Sequence, residues 1–181
     1  MTYFTSRDIA AIAMCAALWS VLSAYIAPIF WRITNMPFFC DMVGIISLIL
    51  ALWWIRKFGA VTVTGITATI ITLMLNPSAT HFFGFTTASV VFDILTRLIG
   101  YQNCLEKPMI SVISLLFTSI VSTAVAGVVI GTLFMNPNAL MSVYGGVAFF
   151  SVLHAAGGVI GGTIGLMLTK ALSTRISLPK V

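Results

Sequence analysis

The chain has 181 residues, of which 60% are hydrophobic and only 7% are charged, and its mean hydropathy is +1.11. A soluble domain carries about 25% charged residues, so this composition excludes a globular protein surrounded by water. The net charge of +5 does not indicate a nucleic-acid partner, because the basic residues are scattered rather than clustered. The long apolar runs predict an all-α, polytopic membrane protein, and the even composition predicts a single transmembrane domain over residues 1–181.

Proline, asparagine and charged residues divide the chain into six predicted transmembrane helices. The first runs from about Arg7 to Ala27 and ends at Pro28. Because Asp8 lies where a signal peptide has its basic segment, we expect this helix to remain in the membrane. The other five are expected over about 42–55, 60–75, 85–99, 108–134 and 144–171, the second starting nearer Pro37. The two halves share no motif, which disfavours a carrier built from inverted repeats.

The basic residues divide unequally between the two sets of helix ends. One end of the helices carries Arg7, Arg56, Lys57, Arg97, Lys107, Lys170, Arg175 and Lys180. The other end carries only Arg32. Since basic residues accumulate on the cytoplasmic side of membrane proteins, we predict a multi-pass protein of the cell membrane with both termini in the cytoplasm. The outward loops are then 29–41, 76–84 and 135–143.

No catalytic constellation occurs in the sequence. There is no HExxH, GxSxG or Walker A motif and no pair of carboxylates at helical spacing, so we expect a protein that is not an enzyme. His81 and His154 lie in different segments without a third ligand nearby, and Cys15, Cys40 and Cys104 have no CxxC spacing. We therefore expect no metal site, no cofactor and no disulfide framework.

Polar and aromatic side chains concentrate in the outward loops and indicate a small-molecule site. Rings there can stack on a flat ligand while amides and one cation bind its polar edge. An interfacial aromatic belt and simple helix stops are the alternative explanations for single residues. His154 lies about ten residues, or about 15 Å, into the sixth helix, where ionisable groups usually face the bundle interior or a cavity. The predicted substrate-binding residues are Trp31, Arg32, Asn35, Asn76, His81, Thr86, Tyr144 and His154.

Two further patterns have both a structural and a functional interpretation. Asp93 and Arg97 lie four residues apart on one helix, which predicts a structural ion pair or a helix-end anchor or, alternatively, a coupling role at a protein interface. Ala13 and Ala17 on the first helix are small residues that allow close helix approach in lipid. The glycines between 157 and 165 on the sixth helix have the same property, either within the bundle or against a partner.

In architecture the chain resembles the substrate-binding S components of energy-coupling factor (ECF) vitamin transporters, which are six-helix proteins with both termini inside. The segment Ala13-Met14-Cys15-Ala16-Ala17 resembles the Ala-x-x-x-Ala pattern with which their first helix contacts the transmembrane coupling subunit. The loop 28–41 is similar in position to the loop that covers their outward-facing pocket. The stretch Arg56-Lys57-Phe58-Gly59-Ala60 resembles the Arg-Lys-Pro-Gly-Ala of the subfamily linked to thiamine or its hydroxymethylpyrimidine precursor, with Phe58 replacing the proline.

The resemblance implies a high-affinity membrane subunit that captures a water-soluble vitamin or precursor from outside, with a thiamine-related compound as the first candidate. Its implied partners are the small-molecule substrate, the coupling subunit at Ala13 and Ala17, the ATPase subunits and the lipid bilayer. The chain lacks an N-terminal histidine of the kind that cobalt and nickel members use, so a metal substrate is not expected. The alternatives are a small oligomeric secondary carrier or channel, and a membrane scaffold that transports nothing.

Overall fold

The computed structural model describes residues 3–176, which form helices joined by short turns, without a strand among them. The elements are α1 (Ser6–Val21), a π-helical turn (Leu22–Ile26), α2 (Ala27–Thr34), α3 (Phe38–Ile55), α4 (Ala60–Leu75), α5 (Phe82–Ile99), α6 (Tyr101–Leu105), α7 (Pro108–Leu133), α8 (Pro137–Tyr144) and α9 (Val147–Ser173). Five segments are long and apolar enough to cross a membrane: Ser6–Thr34, α3, α5, α7 and α9. The apolar α4 has 16 residues. The protein is thus all-helical, with several helices suited to a bilayer.

The long helices form a closed ring. Around this ring α1 packs on α4, α4 on α5, α5 on α7, α7 on α9, α9 on α3, and α3 again on α1. Trp53 at the end of α3 donates a hydrogen bond from its indole nitrogen to the hydroxyl oxygen of Ser173 at the end of α9, at 3.1 Å. Lys180, which was predicted to lie at the cytoplasmic end of the helices, is outside the described residues.

The turn between α3 and α4 closes one end of the bundle, which we name the basic end. Arg56 and Gly59 have left-handed backbone conformations, with φ of 50° and 87°, and a glycine adopts such a conformation without a steric penalty. Lys57 forms an ion pair with Asp8 at 2.7 Å, and Arg56 forms one with Glu106 at 2.7 Å. The stretch 56–60 therefore ties the N-terminus and the turn after α5 to the end of α3.

The first predicted helix does not end at Pro28, so that prediction was wrong. The π-helical turn Leu22–Ile26 precedes the proline, and the N–H of Ala27 bonds to the carbonyl oxygen of Leu22, five residues earlier. A proline ring clashes with the carbonyl four residues before it in a regular α-helix, and the wider turn makes room for that ring. The helix then continues as α2, so most of the predicted loop 28–41 is helical.

Other boundaries also differ from the predictions. Asp41 lies in the first turn of α3 rather than in a loop, α5 begins earlier at Phe82, and α9 begins at Val147 instead of Tyr144. The short helices α6 and α8 occupy segments that were predicted as loops. Because α9 starts later, His154 lies about 10 Å from the start of its helix rather than about 15 Å.

The glycines of α9 pack against other helices of the same bundle. A side chain at Gly157 would collide with Asp41 on α3. A side chain at Gly158 would collide with Thr123 and with the backbone of Ser119 on α7. Small residues thus bring three helix backbones close together, as in other membrane helix contacts. This close approach lets a buried carboxyl group on α3 reach a histidine on α9.

The predicted ion pair between Asp93 and Arg97 does not form. Oδ2 of the buried Asp93 accepts hydrogen bonds from the backbone N–H groups of Gly59 at 2.9 Å and Thr62 at 3.0 Å, and from the Thr62 hydroxyl at 2.8 Å. The free N–H groups at the start of α4 and its helix dipole favour a negative group there. The guanidinium of Arg97 instead lies 5.9 Å from the centre of the Tyr101 ring.

Candidate functional site

A cavity of about 350 Å³ lies between the helices at the end opposite the basic end. It is lined by residues of the π-helical turn, α2, the start of α3, the segment before α5, the end of α7 and the first turns of α9. Small-molecule sites have volumes of about 300–1,000 Å³, so this one suits a compact ligand. Much of its wall is aromatic and is formed by Trp31, Phe39, Phe82, Phe85, Phe134 and Phe150.

Aromatic rings hold His154 at the inner wall of this cavity. The ring centre of Phe150 lies 4.6 Å from that of His154 with the planes at 74°, and Phe85 lies 5.9 Å away. Phe150 is in turn 5.0 Å from Tyr144, whose hydroxyl donates a 2.7 Å hydrogen bond to the carbonyl oxygen of Asn35. Burial raises the pKa of Tyr144, so its hydroxyl stays protonated. Tyr144 therefore packs against Phe150 of the cavity wall without itself lining the cavity.

The buried pair of Asp41 and His154 is the main polar feature of the site. Nδ1 of His154 and Oδ1 of Asp41 lie 2.9 Å apart, and the two side chains are 2% and 0% exposed. Neither Nε2 of His154 nor Oδ2 of Asp41 has a hydrogen-bond partner among the described residues. An unpaired buried polar atom costs about 1–3 kcal/mol, so a ligand group that bonds to Nε2 would recover that free energy.

Ser23 adds another unpartnered polar atom to the cavity lining. It lies in the π-helical turn, and its hydroxyl is buried without a hydrogen-bond partner among residues 3–176. Asn76, at the end of α4, adds an amide group to the lining. Together with His154 they give a mostly apolar cavity a few polar contacts, as ligand sites have.

The predicted substrate-binding residues fall into two groups in the structure. Those that line the cavity are Trp31, Asn76, His81 and His154. Those outside its lining are Arg32, Asn35, Thr86 and Tyr144. Arg32 is exposed on α2, and Asn35 ends that helix with a left-handed φ of 53°. The hydroxyl of Thr86 bonds to the hydroxyl of Thr69 and so joins α5 to α4.

His81 contributes a neutral ring to the cavity wall. It immediately precedes α5, and its ring centre lies 5.6 Å from that of Phe82 and 6.5 Å from that of Phe85. Burial, and secondarily the neighbouring His154, lowers the pKa of His81 below its ordinary value of 6.5. At pH 7 this side chain is therefore a hydrogen-bonding group rather than a cation.

Asp41 and Ser23 were not predicted as site residues from the sequence. The predicted loop extended through Asp41, although a carboxyl group directly before the apolar run 42–55 is itself a signal, because acidic residues in membrane helices usually have a specific partner. Ser23 and the aromatic residues Phe82 and Phe150 were missed because nothing in their spacing separates them from other residues of apolar helices.

The described residues contain no cluster of three histidine, cysteine or acidic side chains that could hold a metal ion. The lining of the cavity includes no lysine and no arginine among the residues that the structure describes. No protein-family model, curated protein or solved structure matches the chain. Its function is therefore inferred from the sequence, the bundle and the cavity.

Proposed function

We propose that this chain is the substrate-binding membrane subunit, the S component, of an ECF-type importer, and that it captures a water-soluble vitamin or vitamin precursor from outside the cell. The supporting observation is the aromatic cavity that His154 lines, a side chain whose Nε2 is buried and has no hydrogen-bond partner among the described residues. Stacking on rings, combined with a few polar contacts, is a common way of holding a small flat ligand. A thiamine-related compound is the first candidate, because the stretch 56–60 resembles that subfamily.

In this proposal the chain crosses the membrane six times, with both termini in the cytoplasm. The sixth span is α4, which covers about 24 Å at 1.5 Å per residue against a hydrocarbon core of about 30 Å. It packs between α1 and α5 within the ring, which supports a membrane position despite its length. The excess of arginine and lysine at the basic end supports the orientation, and the cavity then opens outward.

Labelling of introduced cysteines tests this orientation. In a chain whose Cys15, Cys40 and Cys104 are replaced by alanine, Ser78→Cys should react with an impermeant thiol reagent applied from outside. Ser78 is exposed at the end where the cavity lies. The matched control is Lys107→Cys, which is exposed at the basic end and should react only after the membrane is permeabilised. The reverse pattern contradicts the proposed orientation.

The coupling subunit is proposed to bind α1 at Ala13 and Ala17. Both side chains are exposed in the bundle, whereas Ala16 between them is fully buried. Ala13→Leu and Ala17→Leu should each reduce complex formation with the coupling subunit, because added volume separates closely packed helices. Ligand binding by the isolated chain should be preserved. Ala16→Leu is the matched control, and it should destabilise the chain itself because it overpacks the core. Unchanged assembly of both exposed variants contradicts this interface.

A binding and transport experiment separates the proposed function from its alternatives. The chain is purified from membranes, co-purified small molecules are identified by mass spectrometry, and binding of thiamine and hydroxymethylpyrimidine is titrated. An S component binds its ligand alone and transports it in liposomes only with the coupling and ATPase subunits. Transport by the chain alone supports the carrier or channel alternative. A chain that shows no binding and no transport supports the scaffold alternative. Turnover of a bound compound would contradict a non-enzymatic role.

A further inference from the structure

The part of the chain that the structure describes places no lysine, arginine, glutamate or further aspartate in the cavity lining beside the pair of Asp41 and His154. The elements packed against it present Ser23 from the π-helical turn, Phe85 from α5 and a glycine, Gly127, from α7. The other ionisable side chains on the cavity wall are Cys40 and His81, which are neutral in their ordinary states at pH 7. A net charge on the pair would therefore be buried without compensation, which is costly. The pair is thus expected to be neutral as a whole.

A neutral pair can be arranged in two ways. Either Asp41 is ionised and His154 is an imidazolium, or a protonated Asp41 donates its hydrogen to Nδ1 of a neutral ring. In the first arrangement both ring nitrogens carry hydrogen. In the second arrangement Nδ1 accepts, so the single ring hydrogen lies on Nε2. Nε2 is therefore a donor in both arrangements, and it becomes an acceptor only when the pair loses that proton.

The packing around the pair fixes this geometry. A Cβ at Gly157 would lie 2.6 Å from Cβ of Asp41, and a Cβ at Gly127 would lie 3.0 Å from Cδ2 of His154. The ring of Phe150 stands edge-on to the imidazole. The imidazole therefore has little room to turn, and Nδ1 stays directed at the carboxyl group, while Nε2 is the ring nitrogen without a hydrogen-bond partner among the described residues.

We propose that Asp41 is a positioning residue that makes Nε2 of His154 a hydrogen-bond donor, so that the site selects aromatic heterocycles that have an acceptor nitrogen or carbonyl and no anionic group over their phosphorylated or carboxylated forms. This inference rests on the proposed function, because that function makes the cavity a ligand site. The described cavity lining contains no lysine or arginine that would compensate the charge of an anionic ligand, and this also disfavours phosphorylated or carboxylated compounds.

Nuclear magnetic resonance of the chain in lipid bilayers, labelled with ¹⁵N-histidine, reads the state of Nε2 directly. The chain has two histidines, so the His154 signals are those that disappear in a His154→Gln sample. We expect a protonated Nε2 at pH 7. In Asp41→Leu, which offers Nδ1 neither a donor nor an acceptor, the single hydrogen of the neutral ring should be shared between Nδ1 and Nε2. An unprotonated Nε2 in the unchanged chain, or the same protonation in Asp41→Leu, overturns the role assigned to Asp41.

Titration of two matched probes tests the selectivity. The probes are 4-amino-5-hydroxymethyl-2-methylpyrimidine, which is uncharged with acceptor ring nitrogens, and its monophosphate. The uncharged compound should bind at least about a hundred-fold more tightly, and Asp41→Leu should weaken its binding about tenfold. Equal or tighter binding of the phosphate overturns the selectivity. If neither these compounds nor thiamine bind although Nε2 is protonated, the thiamine-related function fails, while the spectrum still supports the assignment of Asp41.

Discussion

Two buried carboxyl groups, Asp41 and Asp93, lie at opposite ends of the bundle and differ in their partners. Oδ2 of Asp93 accepts three hydrogen bonds from the start of α4, whereas Asp41 is bonded to Nδ1 of His154. The other oxygen of each carboxyl group has no hydrogen-bond partner within residues 3–176. The partner of Asp93 is a helix end, and the partner of Asp41 is an ionisable side chain that lines a cavity. The comparison teaches that the partner of a buried acid, more than its burial, separates a structural role from a role in a site.

The largest effect is expected when Asp93 is removed. Asp93→Ala leaves the N–H groups of Gly59 and Thr62 without their acceptor and should destabilise the folded chain by about 3 kcal/mol. Thermal unfolding in detergent measures this loss. The affinity of the remaining folded protein for thiamine or hydroxymethylpyrimidine should change little, because the basic end is far from the cavity. A stable Asp93→Ala chain with weakened binding would reverse the roles of the two acids.

A smaller effect, on binding rather than folding, is expected for His154→Ala. The ligand loses its bond to Nε2, which corresponds to about 1–3 kcal/mol, or a roughly five- to hundred-fold weaker affinity. Titration of the purified variant with thiamine and hydroxymethylpyrimidine measures this change, and gel filtration checks that the protein stays folded. If the variant binds the same compound with unchanged affinity, the ligand does not contact His154, and the pair of Asp41 and His154 is not part of the binding site.

The smallest effect is expected from a single methyl group beside Asp41. Gly157→Ala places Cβ 2.6 Å from Cβ of Asp41, so α9 and α3 must separate slightly, at a cost of about 1–2 kcal/mol in stability. Gly131→Ala is the matched control, because its nearest neighbour, Phe150, would be at an ordinary 3.4 Å. Thermal unfolding of both variants should show a loss for the first only. Equal stability would mean that the pair tolerates movement of its helices.

The helical class and most helix positions could be predicted from the sequence, because apolar runs and proline or asparagine stops are local signals. The helix over Ala60–Leu75 was predicted with the same ends, since Gly59 and Asn76 punctuate it. The path through Pro28 could not be predicted, because a proline usually ends a helix and nothing local announces a π-helical turn.

Part of the candidate site was also accessible from the sequence. Polar residues near the helix ends that were predicted to face outward, such as Asn76 and His81, were identified by their position in the sequence, and both line the cavity. The hydrogen bond between Asp41 and His154 could not be predicted from the sequence, because it joins residues 113 positions apart through the close packing of α3 and α9. The Asp93 contact with α4 was missed for the same reason, since a nearby basic residue on the same helix suggested a simpler partner.

The π-helical turn has a consequence for how the chain tolerates changes in length. One turn of π-helix contains an extra residue, so everything beyond it is rotated by about 100° relative to an uninterrupted α-helix. Deleting one residue from Leu22–Ile26 would leave a continuous rod yet swing Trp31 off the cavity while Ala13 and Ala17 kept their direction. A single codon lost from this segment would therefore change the angle between the face of the helix that carries Ala13 and Ala17 and the face that carries Trp31.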